Sequence, residues 1–374
     1  MLVRVTAAVA TGKGNPLTIK ELDLAEPGPG EVQVRMVATG VCHTDASVRE
    51  QWYPTQMPAV LGHEGAGIVE KTGPGVTSVQ PGDHVVLSFA SCGTCASCVS
   101  GHPAYCSQFF PLNFFGHRPD GSVTFTDGGE PVGSHFFGQS SFSTVSNIAE
   151  RSVVKVPDTA PLDVLGPIGC SIQTGAGAVL NVLDPEAGSS IVIFGAGAVG
   201  MSALLAARVA NASTVIAVDI IEDRLSFAAE LGATHVINSL EEDPVARIRE
   251  ITGGGVDYAV DSTGNKAVFR TMVDSLGTRG HAALVGLASP GTESTIDIGT
   301  TILTGAKISL VIEGDSVPQT FIPRLISLYE EGRFPFEKLI TSYAFEDINT
   351  AFDDTRTGAA LKPVVVFQAP AESL

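Results

Sequence analysis

Positive charge is scarce in this chain. Its 374 residues include 22 Lys and Arg against 40 Asp and Glu, a formal net charge of −18. A surface so acidic repels phosphate backbones and anionic lipid headgroups, so neither nucleic acid nor membrane is expected as a partner. Long apolar runs are missing too. The stretch from Ile191 to Ala207 is broken by Gly195, Gly197 and Gly200 and closed by Arg208, which makes it a buried strand turning into a helix rather than a membrane span. The first residues, MLVRVTAAVATGKG, lack a basic segment leading into a sustained apolar one. Export is therefore not signalled, and a cytoplasmic protein is expected. No low-complexity segment or fixed-period repeat occurs. Cysteine is limited to six and tryptophan to one.

What the chain does have is glycine (41), proline (22) and 44% hydrophobic residues, the make-up of a packed, turn-rich globular protein long enough for two domains. From Leu17 to about Lys155, β-rich segments such as EVQVRMVATG and DHVVLS alternate with turn clusters such as EPGPGE and VQPGDH, which predicts a β-rich domain with long loops. From about Leu162 the rhythm becomes strand, helix, strand, helix, strand, continuing through GVDYAVDSTG and GHAALVGLAS. That alternation predicts a doubly wound parallel sheet, an α/β domain. The expected division is a β-rich domain over 1–171, a cofactor domain over 172–315, and a final stretch, 316–374, returning to the first domain through the strand KPVVVF.

IVIFGAGAVG sets a β-run directly before Gly195, Gly197 and Gly200, and a helix-forming stretch follows. A G-x-G-x-x-G alone is weak, but here it opens a βαβ unit. Asp219 closes the next strand, placed to bond the adenosine ribose hydroxyls and to repel a 2′-phosphate, which favours NAD over NADP. Arg224 and Lys362 are basic candidates for the adenosine and the phosphates; each could equally be a solvated surface group.

Cys92, Cys95, Cys98 and Cys106 form C-x₂-C-x₂-C-x₇-C, a set that can wrap one tetrahedral zinc and leave no ligand position open. Two disulfides or an iron–sulfur cluster are the other readings of four close cysteines. The remaining cysteines, Cys42 in TGVCHTD and Cys170 in PIGCSIQTG, join His63 in LGHEGAG as a possible second set. Two thiolates and one imidazole leave a fourth position for water or substrate, as a Lewis-acid zinc requires. Singly, each could be an inert buried residue; the trio accounts for every cysteine in the chain. Asp45 and Glu64 stand next to ligand positions and suit the orientation of His63 or the tuning of metal charge, unless they are merely solvated.

Taken together, GVCHTD, GHEGAG, the four-cysteine lobe, GAGAVG and the closing KPVVVF resemble the zinc-containing medium-chain alcohol dehydrogenases in order and spacing over essentially the whole chain. SHFFGQSSFS, PIGCSIQTGAGAVLN and IEGDSVPQTFIP resemble the aryl-alcohol (benzyl alcohol) branch. The resemblance implies a GroES-like β domain carrying both zincs, a Rossmann domain, an active site in the cleft between them, two zincs per chain and NAD. It implies that Cys42, His63 and Cys170 hold a catalytic zinc and the other four cysteines a structural one. Thr44 would bond the substrate oxygen, His43 face the coenzyme pyrophosphate and Thr174 pack on the nicotinamide. Phe136 and Phe137 would flank a small alcohol or aldehyde, and the assembly would be a homo-oligomer. Ser47 departs from the pattern, since some members place there a histidine that ends the proton relay. Competing readings are a glutathione-dependent formaldehyde dehydrogenase, a general short-chain alcohol dehydrogenase, a polyol dehydrogenase, or a redox-silent NAD-binding protein. Polyol members commonly place glutamate where Cys170 stands.

Overall fold

A computed structural model describes residues 2–367. The chain divides into two compact units. One holds residues 2–170, Val317–Arg324 and 339–367; the other holds Ser171–Ser316 and Leu325–Lys338. The stretch expected to return to the first unit as one piece is thus interrupted, because Leu325–Lys338 packs with the second unit. Residues 368–374, the end of that stretch, lie outside the described residues.

The first unit is built on two mostly antiparallel sheets, of five and seven strands. The strand Glu31–Gly40 is buried along both faces, which is why it reads as a nearly continuous apolar run rather than a strict alternation. On one side it pairs with Gly65–Thr72, with Thr39 opposite Gly65. On the other it pairs with Lys362–Val366, with Gly40 opposite Val364. This register brings the ends that lead into Cys42, out of His63 and into Lys362 to one edge of the sheet. A core including Val34, Met36, Leu61, Phe136, Phe142 and Ile148 fills the unit. Burying such side chains supplies roughly 1.5–3 kcal/mol apiece.

The second unit is a six-stranded parallel sheet ordered His235–Asn238, Thr214–Asp219, Ser190–Phe194, Val256–Asp261, Leu276–Leu284, Lys307–Leu310. Its two halves wind outward from Ser190–Phe194, as the βαβ rhythm predicts. Val192, Phe194, Ile216, Val218 and Ala259 are buried at its centre. The helices begin where local chemistry permits: Asp243 caps Pro244–Thr252 by accepting from Val245 N and Ala246 N, with proline at the first helical position. Among the described residues no helix is long and apolar enough to cross a membrane.

Candidate active site

Cys42, His63, Glu64 and Cys170 each offer one ligand atom, all within 4.8 Å of one another. Cys42 is the N-cap of the helix His43–Arg49, and its backbone N–H donates to Asp45 Oδ2 at 3.0 Å. The other Asp45 oxygen accepts from Gly62 N (3.1 Å) and from His63 Nδ1 (2.9 Å). One buried carboxylate therefore ties two ligand-bearing segments together and commits the Nδ1 proton. His63 Nε2 is left buried with no hydrogen-bond partner. An orphaned imidazole nitrogen facing two thiols is costly unless a cation fills the gap, and two soft sulfurs with one nitrogen suit zinc. The Cys170 thiol beside Cys42 pulls the Cys42 thiol well below its usual pKa despite burial, helped by Lys362 and His63. That favours the thiolate, the form that binds metal.

Glu64, buried in the same cluster, accepts both its ion-pair hydrogen bonds from Lys362 Nζ, at 2.7 and 2.9 Å, and Nζ also donates to the Val41 carbonyl. Burial works against charge on Lys362, but Glu64 and Cys42 push its pKa up to about 12. The structure thus gives Lys362, expected at the cofactor phosphates, a buried carboxylate partner 298 residues away, a pairing no local motif announces. Gln139 also escapes sequence reasoning. Its Nε2 donates to the His63 and Ser88 carbonyls and its Oε1 accepts from Gly65 N. The GQSSFS phrase is its only signal in the sequence.

Around these groups, Thr44 Oγ1 lies 3.9 Å from Cys42 Sγ. His43 is exposed, its ring edge-on to Trp52. Ser47 is buried and its Oγ has no partner. Phe136 and Phe137, both buried, set their rings 5.5 and 4.5 Å from the His63 ring. Phe142 packs instead on Phe352 in the core.

The four-cysteine lobe is a separate cluster with all four sulfurs within 4.8 Å. Cys92 and Cys98 sulfurs are 4.0 Å apart, as are those of Cys95 and Cys106, close to the roughly 3.8 Å edge of a zinc–tetrathiolate tetrahedron and about twice a disulfide bond length. None of the six cysteines forms a disulfide, which removes the disulfide reading, and so tight a set fits a single ion. Backbone N–H groups of Cys95, Ser107 and Gln108 aim at the sulfurs of Cys92, Cys95 and Cys106. Such bonds, with those from Cys98 and Ser107 foremost, bring Cys95 down to about 5; burial pushes Cys106 up to about 12.

In the second unit the three loop glycines separate by cause. Gly195 has φ +90°, and a Cβ at Gly200 would come within 1.7 Å of the Gly195 carbonyl. A Cβ at Gly197 would meet nothing within 4 Å. The chain's own packing does not require that glycine, which is what a close-lying pyrophosphate would explain. Asp219 Oδ2 accepts from Ala196 N at 2.6 Å, and its Oδ1 accepts from Ile220 N and Ile221 N, so it anchors the glycine loop from the end of its strand. Arg224, half-buried in the first turn of Glu222–Glu230, has a buried Nε without a partner. Thr174 lies on the helix Ser171–Gly177.

Residues 28–158 match the alcohol dehydrogenase GroES-like domain and residues 198–331 the zinc-binding dehydrogenase domain. The chain is 43% identical to a geraniol dehydrogenase of Castellaniella defragrans, covering 98% of both chains. It is 37% identical to an S-(hydroxymethyl)glutathione dehydrogenase of Paracoccus denitrificans, covering 98% of this chain and 100% of that one. The crystal structure of benzyl alcohol dehydrogenase from Acinetobacter calcoaceticus superposes with a TM-score of 0.95 at 50% identity, covering 98% of this chain and all of that one. With a thiolate–imidazole cluster, a four-cysteine lobe and a glycine loop on a parallel sheet all in place, the chain belongs to the zinc-containing, NAD-dependent medium-chain alcohol dehydrogenases.

Proposed function

We propose that this alcohol dehydrogenase acts on primary alcohols whose carbinol carbon adjoins an aromatic ring or a double bond, and on the matching aldehydes in reverse. The observation that carries the reading is the pair of buried rings, Phe136 and Phe137, packed on the ligand histidine His63. Rings there make the wall beside the reacting oxygen apolar and offer edge and face contacts to a planar substrate. Geraniol and benzyl alcohol, which name two relatives, both carry the hydroxyl next to a π-system. When bound, zinc supplies a Lewis acid for the alcohol oxygen and NAD accepts the hydride.

The protein's own groups divide the remaining work. Asp45 keeps the His63 proton on Nδ1, leaving Nε2 as a ligand. Thr44 takes the hydroxyl proton of the substrate and passes it outward through water or His43, because Ser47 offers no group that titrates near neutrality. Gly197 lets the pyrophosphate of NAD approach the loop, and Arg224 and Asp219 receive its adenosine. Thr174 faces the nicotinamide. We also propose a homo-oligomer, since the edge strand Lys307–Leu310 leaves Leu310 67% exposed and the helix Ile298–Thr304 leaves Leu303 82% exposed.

The test is a set of specificity constants for benzyl alcohol, cinnamyl alcohol, hexanol and ethanol at saturating NAD, with and without glutathione, in wild type and Phe136→Ala. At about 0.8 kcal/mol per buried CH₂, a phenyl-sized group should gain at least about a hundredfold over ethanol, and Phe136→Ala should lose most of that margin. Ethanol as best substrate, or indifference to Phe136, overturns the reading. A rate that depends on glutathione would favour the formaldehyde-dehydrogenase alternative.

A further inference from the structure

Glu313, Gly314 and Asp315 are three successive residues in the left-handed region, with φ +50°, +64° and +45°. Glycine takes this conformation freely; glutamate and aspartate do not, and such runs persist only where the surroundings impose them. Here the imposition is visible. The Gly314 backbone is pressed against the helix Ser171–Gly177, so that a Cβ on Gly314 would lie 2.4 Å from the Gln173 carbonyl and one on Gly177 would lie 2.4 Å from the Gly314 carbonyl. Asn181 Nδ2 donates to the Gly314 carbonyl at 3.1 Å, and Ser316 Oγ sits between the Glu313 carbonyl (2.7 Å) and Gln173 Oε1 (2.9 Å).

What the strained turn delivers is a carboxylate. Glu313 is 8% exposed, and its Oε2 lies 3.4 Å from both Gln173 Nε2 and Thr174 Oγ1. A glutamine there would fill the same volume without the charge, so what the turn sets beside Thr174 is specifically a buried negative charge. We propose that Glu313 is a positioning residue for the nicotinamide end of NAD, a fixed negative charge beside Thr174 that favours the oxidised, positively charged ring over the neutral reduced one. The proposal rests on the reading that sets Thr174 against the nicotinamide. Its physical basis is asymmetry. NAD gains a positive ring charge on oxidation, and a buried anion within a few ångströms acts on that charge far more strongly than a solvent-exposed one. Packing against the ring, by contrast, would serve both redox forms alike.

The experiment is equilibrium binding by calorimetry on the zinc-loaded enzyme, with NAD⁺, NADH and ADP-ribose as three ligands and wild type compared with Glu313→Gln. The amide keeps the shape and removes the charge. The expected result is a Kd for NAD⁺ raised about tenfold, with those for NADH and ADP-ribose changed less than about twofold. Equal losses for NAD⁺ and NADH would make Glu313 a packing residue, and no change in either would leave it no role at the ring; both overturn the proposal. Should Glu313→Gln fail to fold, Glu313→Asp keeps the charge and withdraws it from Thr174 by one methylene. The ratio of the two affinities should then fall part of the way, and an unchanged ratio overturns the proposal equally. If wild type binds neither NAD⁺ nor ADP-ribose, the cofactor reading itself is wrong, a result distinct from tight NAD⁺ binding that ignores Glu313.

Discussion

Asp45 and Glu31 show how single carboxylates organise this protein. Asp45 joins the helix start at Cys42 to the His63 loop. Glu31 accepts two hydrogen bonds from Arg118 at 2.6 Å, one from Gly28 N at 2.6 Å and one from His135 Nε2 at 2.8 Å. Burial pushes its carboxyl up, but Arg118, His135 and the Gly28 N–H together hold it down at about 2. A group whose pKa is depressed on folding contributes stability at pH values above its unfolded pKa, and that contribution drains away as pH falls from about 4.5 toward 2. Glu31→Gln, which leaves Arg118 and His135 without their anion, should therefore cost about 3 kcal/mol at pH 7. The gap to wild type should narrow across that acid window. Urea unfolding of the two proteins side by side from pH 7 to pH 3 measures it, and a gap that stays constant with pH would refute the assignment.

At the scale of elements, the contrast lies between ligands held by regular structure and ligands that must hold themselves. Cys42 and His63 sit at the ends of paired strands whose register, Thr39 opposite Gly65, is set by the sheet. Cys92 to Cys106 have only the one-turn helix Ala96–Val99 and the short turn Pro103–Tyr105 between them, pieces too short to be stable alone. Metal binding there contributes folding energy. Elemental analysis should find two zincs per chain in wild type and one in each of two variants. Cys170→Ala should lose activity while its Tm stays within about 2 °C, whereas Cys98→Ser should lose about 5 °C or more. A Cys170→Ala protein that retains both metals would defeat the division of roles. The C-x₂-C-x₂-C-x₇-C spacing was legible because all four ligands are neighbours in sequence. The pairing of Glu64 with Lys362 was not, because the sheet alone brings them together.

For the whole molecule, a net charge of −18 resists self-association unless apolar surface offsets it. The second unit exposes such surface on the helix Ile298–Thr304 and on the edge strand that follows it: Ile298 is 72%, Ile302 73% and Leu310 67% exposed. Exposed apolar surface of this kind is usually covered by a partner. Light scattering at micromolar concentration should show a multiple of the chain mass for wild type. The double variant Ile302→Glu, Leu310→Lys should give a smaller species with its zinc content intact. A monomeric wild type would end the proposal.

By itself the sequence determined whatever depends on near neighbours: the glycine loop after its strand, the four-cysteine lobe, the βαβ rhythm, and the identities of the six thiols and one imidazole available to metal. Those signals are local because periodicity, turn chemistry and ligand spacing act over a few residues. Only the tertiary structure decided that Lys362 turns its ammonium to Glu64, that Gln139 supports the His63 backbone, that Leu325–Lys338 joins the second unit, and that Glu313 is bent in beside Thr174. Each of these depends on contacts between residues tens to hundreds of positions apart, where the free energy of burial and pairing, rather than any neighbouring residue, selects the partner.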